Sequence, residues 1–166
     1  MESRAKFMGH PVHQMLVVFP LGLLATAVAF DLLWLAIGGT TLSIVAFWLI
    51  AAGLIGGALA APFGTIDWLS IPQGTRAKRI GAVHGGGNLL VVLLFLGSWL
   101  LRRGAPADPS IAALVLSFGG GALSLVTAWL GGELVSRLGV GVSPGANLDA
   151  ASSLSRTPMR HRDADA

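Results

Sequence analysis

The chain has 166 residues, of which 54% are hydrophobic and only 11% are charged, and it contains 23 glycines. Soluble domains carry about 25% charged residues, so this composition excludes a water-soluble fold, and it also excludes a disordered chain or a coiled-coil rod. The absence of cysteine excludes disulfides, thiolate metal sites and iron–sulfur ligation.

The chain is basic, with a net charge of +3 and a pI near 10.6. Its basic residues flank the apolar runs and do not form a stripe interleaved with aromatic side chains. We therefore expect a lipid bilayer as its surroundings and no nucleic-acid partner.

Four apolar segments are long enough to cross a hydrocarbon core, which takes about 20 helical residues. They cover residues 13–37, 43–63, 80–101 and 111–132. Their short connections favour antiparallel neighbours. The predicted fold is all-α: an integral membrane four-helix bundle in up-down-up-down order, made of two hairpins within residues 1–142.

Residues 143–166 differ in composition, because Ser, Ala, Pro, Asp and Arg dominate there. Such a segment buries too little apolar area to offset its ordering entropy. It is predicted to be a disordered cytoplasmic tail.

The basic residues near the helix ends predict the orientation. An even number of crossings puts both termini and the middle loop on one side of the membrane. That side holds Arg4, Lys6, Arg76, Lys78, Arg79 and Arg137, and the other side holds Arg102 and Arg103. Because Lys and Arg accumulate in cytoplasmic loops, both termini are predicted to be cytoplasmic.

Ionisable residues gather at the four helix ends that lie on the same side of the membrane as the termini. They are His10, His13, Asp67, His84 and Glu133. Asn88 lies one turn after His84 on the same helix face. The opposite rim carries Asp31, Asp108, Arg102 and Arg103. Because ionisable groups at membrane depth are costly, the first group is a candidate functional site.

Imidazole is the commonest protein ligand for metals, and two histidines on facing helices can hold a haem iron from both sides. The candidate cofactor-binding residues are His10, His13, His84 and Asn88. Two histidines with a carboxylate can instead hold an Fe, Zn or Cu ion. The candidate metal ligands are His13, His84, Asp67 and Glu133. The first set predicts one bound haem b, and the second predicts one bound transition metal ion. In both cases the expected role is electron transfer or redox sensing.

Each of these residues also has a structural interpretation. His10 can cap the first helix, His13 and His84 can lie in the headgroup layer, and the carboxylates can pair with nearby arginines. The alternative function is therefore a structural or assembly subunit with a hydrogen-bonded polar cluster and no cofactor. The uncharged middle of every predicted helix argues against a transporter, and no nucleophile with a base and an orienting group indicates an enzyme.

The two hairpins have similar motifs. The first runs from His13 to the sequence Gly-Thr-Ile-Asp-Trp at residues 64–68, and the second runs from His84 to Gly-Gly-Glu at residues 131–133. An internal repeat about an axis along the membrane normal is one interpretation, and shared hydropathy alone is the other. A true repeat would make the two pairs of His and carboxylate face each other.

Several motifs occur in a characteristic order between residues 9 and 142. They are Gly-His-Pro-Val-His at 9–13, Phe-Pro-Leu-Gly-Leu at 19–23, Gly-Thr-Ile-Asp-Trp at 64–68, Gly-Thr-Arg-Ala-Lys-Arg at 74–79, His-Gly at 84–85, Gly-Glu-Leu at 132–134 and Gly-Val-Gly-Val at 139–142. In these motifs the chain resembles the bacterial membrane family catalogued as domain of unknown function 2231. The sequence departs from that pattern at Gln14, where proline is expected, and at residues 136–138, where an aromatic residue is expected.

The resemblance implies a four-helix protein of the bacterial inner membrane. Some members of that family are fused to a Rieske-type iron–sulfur domain, which implies redox chemistry and a redox protein or membrane complex as partner. We expect no such fusion in this chain, whose 166 residues contain no cysteine.

Overall fold

The structure is a computed structural model that describes residues 1–155 of the chain. Two short strands, β1 (Lys6–Phe7) and β2 (His10–Pro11), form an antiparallel hairpin before the helices. The helices are α1 (Val12–Leu16), α2 (Val18–Ile37), α3 (Thr40–Ser70), α4 (Arg76–Arg102) and α5 (Ile111–Ser136).

Four helical spans are long and apolar enough to cross a membrane, with α1 and α2 together forming the first span from Val12 to Ile37. They pack against one another as a four-helix bundle, so the predicted all-α membrane architecture is confirmed. All four spans extend beyond the predicted crossing segments at one end or both. In the predicted tail, residues 143–155 contain turns and no helix or strand. Residues 156–166 lie outside the described part of the chain.

A break at Val17 separates α1 from α2. Pro20 has no backbone N–H, so the carbonyl of Leu16 lacks its usual helical partner at this point. Val17 itself donates to the carbonyl of His13, and Leu21 donates to that of Val17. The chain therefore continues as one span with a local irregularity.

The connection between the hairpins is tied by a reciprocal contact. Trp68 Nε1 donates to the carbonyl of Lys78 at 3.1 Å, and Lys78 Nζ donates to that of Trp68 at 2.8 Å. Thr75 begins α4 by accepting a hydrogen bond from the Lys78 amide. These contacts extend the two helices past their apolar segments, which explains why α3 and α4 meet near residues 70–76.

Small residues let neighbouring helices approach closely. A Cβ built on Gly53 would lie 2.6 Å from Leu24, and one built on Gly120 would lie 2.8 Å from Phe95. These two glycines thus receive the bulky side chains of the partner helix, as expected for packing in lipid. The Leu24 contact and the Gly64 contact with His13 show that α2 and α3 run antiparallel.

The two hairpins repeat the same contacts. Asp31 in α2 pairs with Arg102 in α4, at a separation of 71 positions along the chain, and His13 and His84 have the same separation. The corresponding residues of α3 and α5 are Gly53 with Gly120, Ala60 with Thr127, and Gly64 with Gly131. This agreement of spacing and contact favours the repeat over shared hydropathy.

The repeat defines a pseudo-two-fold axis along the bundle. Because a two-fold rotation exchanges equivalent residues, two equivalents that touch each other lie close to that axis. Asp31 and Arg102 meet this condition, and Leu24 and Phe95 belong to the same buried cluster. We call the end of the bundle with His13 and His84 the histidine end, and the end with Asp31 and Arg102 the ion-pair end.

The outer face of the bundle is apolar. Large hydrophobic side chains such as Trp48, Ile55, Val115 and Leu125 are exposed on it. A soluble protein rarely exposes so much contiguous apolar surface, whereas a bilayer solvates it. This surface agrees with the membrane location.

Candidate functional site at the histidine end

His13 in α1 is held against α3. Its Nδ1 lies 3.0 Å from the carbonyl oxygen of Ala60, and its ring packs against Gly64, where an added Cβ would lie 2.7 Å from Cε1. The ring is half-buried. It therefore turns toward the neighbouring helix of its own hairpin.

His84 in α4 is held against α5 in the same way. Its Nδ1 lies 2.9 Å from the carbonyl oxygen of Thr127, and its ring packs against Gly131, where an added Cβ would lie 3.1 Å from Cε1. It is also half-buried.

These contacts determine the tautomer of both rings. A carbonyl oxygen only accepts hydrogen bonds, so Nδ1 carries the proton in each ring. The neutral imidazole then has its lone pair on Nε2, which is the atom available to a metal. Metal-binding histidines are commonly oriented by this kind of hydrogen bond from the other ring nitrogen.

Asn88 makes the two rings different. Its Nδ2 lies 3.2 Å from Nε2 of His84 and 3.5 Å from Nδ1. Because the amide nitrogen is nearly equidistant from the two ring nitrogens, it lies over the face of the imidazole and leaves the in-plane lone pair on Nε2 free. In the repeat, His13 corresponds to His84 and Val17 corresponds to Asn88. The side chain of Val17 has no hydrogen-bond donor.

His10 does not join the pair. It lies in β2, it is exposed, and its Nε2 is 3.3 Å from the hydroxyl of Ser153. The structure thus puts His10 in the hairpin before the helices, in contact with the chain that follows α5.

Asp67 binds the N-terminal segment. Both carboxylate oxygens accept from the Ser3 hydroxyl at 2.7 and 2.8 Å, and Oδ1 also accepts from the amide of Arg4 at 2.9 Å. The terminal ammonium of Met1 donates to the carbonyl of Gly139 at 2.7 Å. The residues before β1 therefore join the ends of α3 and α5 across the histidine end.

Further charges at this end are paired on the surface. Glu133 accepts from Arg76 at 2.7 Å, and the Arg76 side chain is 55% exposed. The hydrogen bond that Glu2 accepts from Lys6 holds the pKa of that carboxyl below its usual range. Such exposed pairs contribute little to stability.

The structure thus places Asn88 beside His84, holds each histidine against the partner helix of its own hairpin, and directs the two carboxylates to other partners. Within residues 1–155, no group of three or more His, Asp or Glu side chains is arranged to hold a metal ion. An apolar groove of about 270 Å³ lies between α2 and α3, but its lining contains neither histidine. The remaining donor set is two imidazoles.

A second polar site lies at the ion-pair end. Asp31 and Arg102 form a bidentate pair with two contacts of 2.7 Å, and both side chains are fully buried. Ser117 donates to Asp31 at 2.8 Å, and Arg102 Nε donates to the hydroxyl of Ser98 at 3.2 Å. This network joins α2, α4 and α5.

The sequence places Asp31 and Arg102 at the opposite rim but does not predict that they form a buried pair. The signal that could have found it is the repeat, since Asp31 follows His13 by the same number of residues as Arg102 follows His84. Gly64 corresponds to Gly131 in the repeat. Asp67 lies three residues after Gly64, whereas Glu133 lies two residues after Gly131, so the two carboxylates are not equivalent.

Between the two polar ends the interior is apolar. Leu24, Ile50, Val91 and Phe95 are buried there. They separate the histidines from the ion pair, so the structure contains two polar sites with a hydrophobic layer between them.

The spans, the apolar outer face and the buried polar ends define a multi-pass membrane protein. The chain belongs to the family described as "Predicted membrane protein (DUF2231)", whose model matches residues 9–144, so the resemblance is confirmed. No curated protein and no solved structure matches the chain.

Proposed function

We propose that this membrane protein binds one haem or one metal ion between His13 and His84, for electron transfer or redox sensing with a redox protein or membrane complex. The observation that carries the proposal is the matched pair of hydrogen bonds from Nδ1 to the carbonyls of Ala60 and Thr127. They leave the ligand nitrogen of each ring unprotonated and fix the ring orientation.

Charge balance favours a haem or a monovalent ion over a bare divalent ion. Asp67 and Glu133 are occupied by Ser3 and Arg76, so no carboxylate of this candidate set offsets an added charge. Burying an uncompensated divalent charge among apolar helices is expensive. The ring nitrogens of a bound porphyrin carry two negative charges, and its edge is apolar except for the two propionates of haem b, which would extend toward the headgroup layer.

The glycines after His84 leave an open surface on α4. A Cβ built on Gly85 or Gly86 would meet no atom within 4 Å, and both residues are exposed. Because residues one or two positions apart do not share a helix face, this surface differs from the face that carries the His84 ring. The bound group would supply the one-electron chemistry, and the two histidines would hold it.

The alternative function is a structural or assembly subunit without a cofactor. It is favoured by the contacts that hold each ring within its own hairpin, to which Asn88 adds an amide within 3.5 Å of both ring nitrogens of His84. In this alternative both histidines tie the helices of their own hairpins together.

We also propose the bacterial inner membrane as the location, with both termini and the histidine end in the cytoplasm. The exposed Arg76, Arg79 and Arg137 at that end support this orientation. A ligand held there would lie near the cytoplasmic surface, within reach of a soluble redox partner.

The test is an absorption spectrum and a metal analysis of protein purified from cells supplied with haem precursor and transition metals. We expect a Soret band or one equivalent of a metal ion, retained in His10→Ala and lost in His84→Ala. Wild-type protein with neither signal would contradict the proposal and favour the structural alternative.

A further inference from the structure

An apolar groove of about 230 Å³ lies between α3 and α4, in the half of the bundle nearer the ion-pair end. Its lining consists of Ala51, Leu54 and Ile55 from α3 and Leu96 and Trp99 from α4. Ile55 also lines the groove between α2 and α3, so the two grooves adjoin. Because Ile55 and Leu96 are exposed on the outer face, the grooves are open to the acyl chains of the bilayer.

Trp99 is the lining residue with a polar side-chain atom. Its Nε1–H is buried and has no hydrogen-bond partner among residues 1–155. The indole stacks on Phe47, with ring centroids 5.5 Å apart and ring planes 15° from parallel. A buried donor without an acceptor is costly, above all in lipid, where no water can replace the acceptor. The indole therefore favours a ligand that brings an oxygen acceptor to this ring.

The packing of the bundle does not require an indole at this position. In the repeat, Trp99 corresponds to Val28, and Leu54 corresponds to Gly121. On the other face between the hairpins, a Cβ built on Gly121 would lie only 3.0 Å from Val28. The face between α2 and α5 is thus close-packed at the level where the face between α3 and α4 has a groove and an indole.

Arg103 puts a positive charge beside the same indole. Its guanidinium carbon lies 5.4 Å from the ring centroid of Trp99, within the range of a cation–π contact. Arg103 is exposed, and the ion pairs formed within the described part of the chain include neither it nor Asp108, the carboxylate of the same loop. A guanidinium at the end of a membrane span matches the phosphate of a lipid headgroup.

We propose that this groove, with Trp99 and Arg103, binds an anionic phospholipid of the leaflet at the ion-pair end. One acyl chain occupies the groove, an ester carbonyl accepts the hydrogen bond from Trp99 Nε1, and the phosphate binds Arg103. The second chain lies beyond Ile55 in the adjoining groove. This lipid site is independent of the histidines and of any ligand that they hold.

The order of the three features along α4 favours a phospholipid over other apolar ligands. Arg103, Trp99 and Leu96 follow one another at intervals of about one helical turn, from the loop toward the middle of the bundle, on one side of the helix. A phospholipid has its phosphate, ester carbonyls and acyl chains in the same order. A quinone has carbonyls and an apolar tail but no phosphate for Arg103.

The experiment is native mass spectrometry of the delipidated protein in detergent, titrated with phosphatidylglycerol and, separately, with phosphatidylethanolamine. We expect one tightly bound phosphatidylglycerol per chain. Arg103→Gln should weaken its binding by about tenfold, because it removes a charged partner. Trp99→Phe should weaken it by about fivefold, because it keeps an aromatic ring and removes one donor.

Arg137→Gln and Trp129→Phe are the matched controls, because each removes the same group from an exposed position elsewhere in the chain. Both should leave the affinity unchanged. Equal affinity of the wild type, Arg103→Gln and Trp99→Phe would overturn the site, as would equal losses in the controls or equal affinity for the two lipids.

The same titration separates the other occupants of the groove. Binding of ubiquinone that is tighter than that of phosphatidylglycerol, weakened by Trp99→Phe and unchanged by Arg103→Gln, would overturn the lipid site in favour of a quinone. A stable dimer that forms without lipid and binds none would overturn it in favour of a second copy of the chain. None of these results depends on haem or metal binding, so the proposed function stands or falls separately.

Discussion

Gly64 and Gly131 determine where the histidine rings lie. Each glycine is opposite a ring edge and leaves space that a methyl group would fill, with hypothetical Cβ distances of 2.7 and 3.1 Å to Cε1. The carbonyl one turn earlier in the same helix accepts from Nδ1 in both cases. A ring-sized recess and an acceptor at its base thus orient each imidazole.

Gly64→Ala should displace the His13 ring. Overpacking of a close contact costs about 1–3 kcal/mol, and a ring that moves also loses its bond to Ala60. We expect a lower thermal unfolding midpoint in detergent and weaker ligand binding.

Gly85→Ala is the control for this substitution, because a Cβ there meets no atom within 4 Å. It should leave the midpoint unchanged or raise it slightly, since alanine favours the helix. Equal effects of the two substitutions would show that the recess at Gly64 does not hold the ring.

The histidines themselves were predictable, and their partners were not. An imidazole at the end of an apolar run stands out in the sequence because it is costly in lipid. The acceptors are main-chain carbonyls of Ala60 and Thr127, which no side-chain motif reveals. The sequence groups Asp67 and Glu133 with the histidines because helix ends meet there. Asp67 binds Ser3 instead, and Glu133 pairs with Arg76, as its structural interpretation expects.

At the scale of helices, the Asp31–Arg102 pair joins the two hairpins. These residues are equivalent in the repeat. If the first hairpins of two chains packed together, two aspartates would meet, and if two second hairpins packed together, two arginines would meet. Like charges buried in contact are strongly unfavourable. The pair therefore favours the association of one hairpin of each kind.

Replacing Asp31 by alanine should destabilise the bundle by about 3–5 kcal/mol, because it leaves Arg102 buried without its anion. The exchanged variant, Asp31→Arg with Arg102→Asp, should recover part of that loss, since the two positions are equivalent about the axis. Thermal unfolding in detergent measures both.

Recovery will be incomplete because the serines are not exchanged with the charges. Ser98 supports Arg102, whereas the equivalent residue of the first hairpin is Ala27. An exchanged variant no more stable than Asp31→Ala would contradict the pseudo-two-fold arrangement.

At the scale of the whole molecule, the bundle has two polar ends and an apolar exterior. The four apolar spans followed from the sequence, because long apolar runs and short loops allow few other folds, and the family followed from the resemblance of the motifs between residues 9 and 142. The helix ends did not, since α3 continues through Pro62 to Ser70 and α4 begins at Arg76. Contacts between Trp68 and Lys78, rather than hydrophobicity, determine those bounds.

The proposed orientation predicts the behaviour of reporter fusions. A reporter active only in the cytoplasm should be active when fused after Ala166, and one active only in the periplasm should be inactive there. If replacing Arg76 and Arg79 with glutamate reverses the activities of the two reporters, the basic residues at the histidine end determine the orientation. Periplasmic activity of the wild-type fusion would contradict it.

The stoichiometry of ligand binding tests the central claim most directly, namely that His13 and His84 form one shared site. We predict one equivalent of haem or metal ion per chain in the wild type and none in His13→Ala or in His84→Ala, because neither imidazole holds the ligand alone. One equivalent retained by either single variant, or none bound by the wild type, would contradict the shared site.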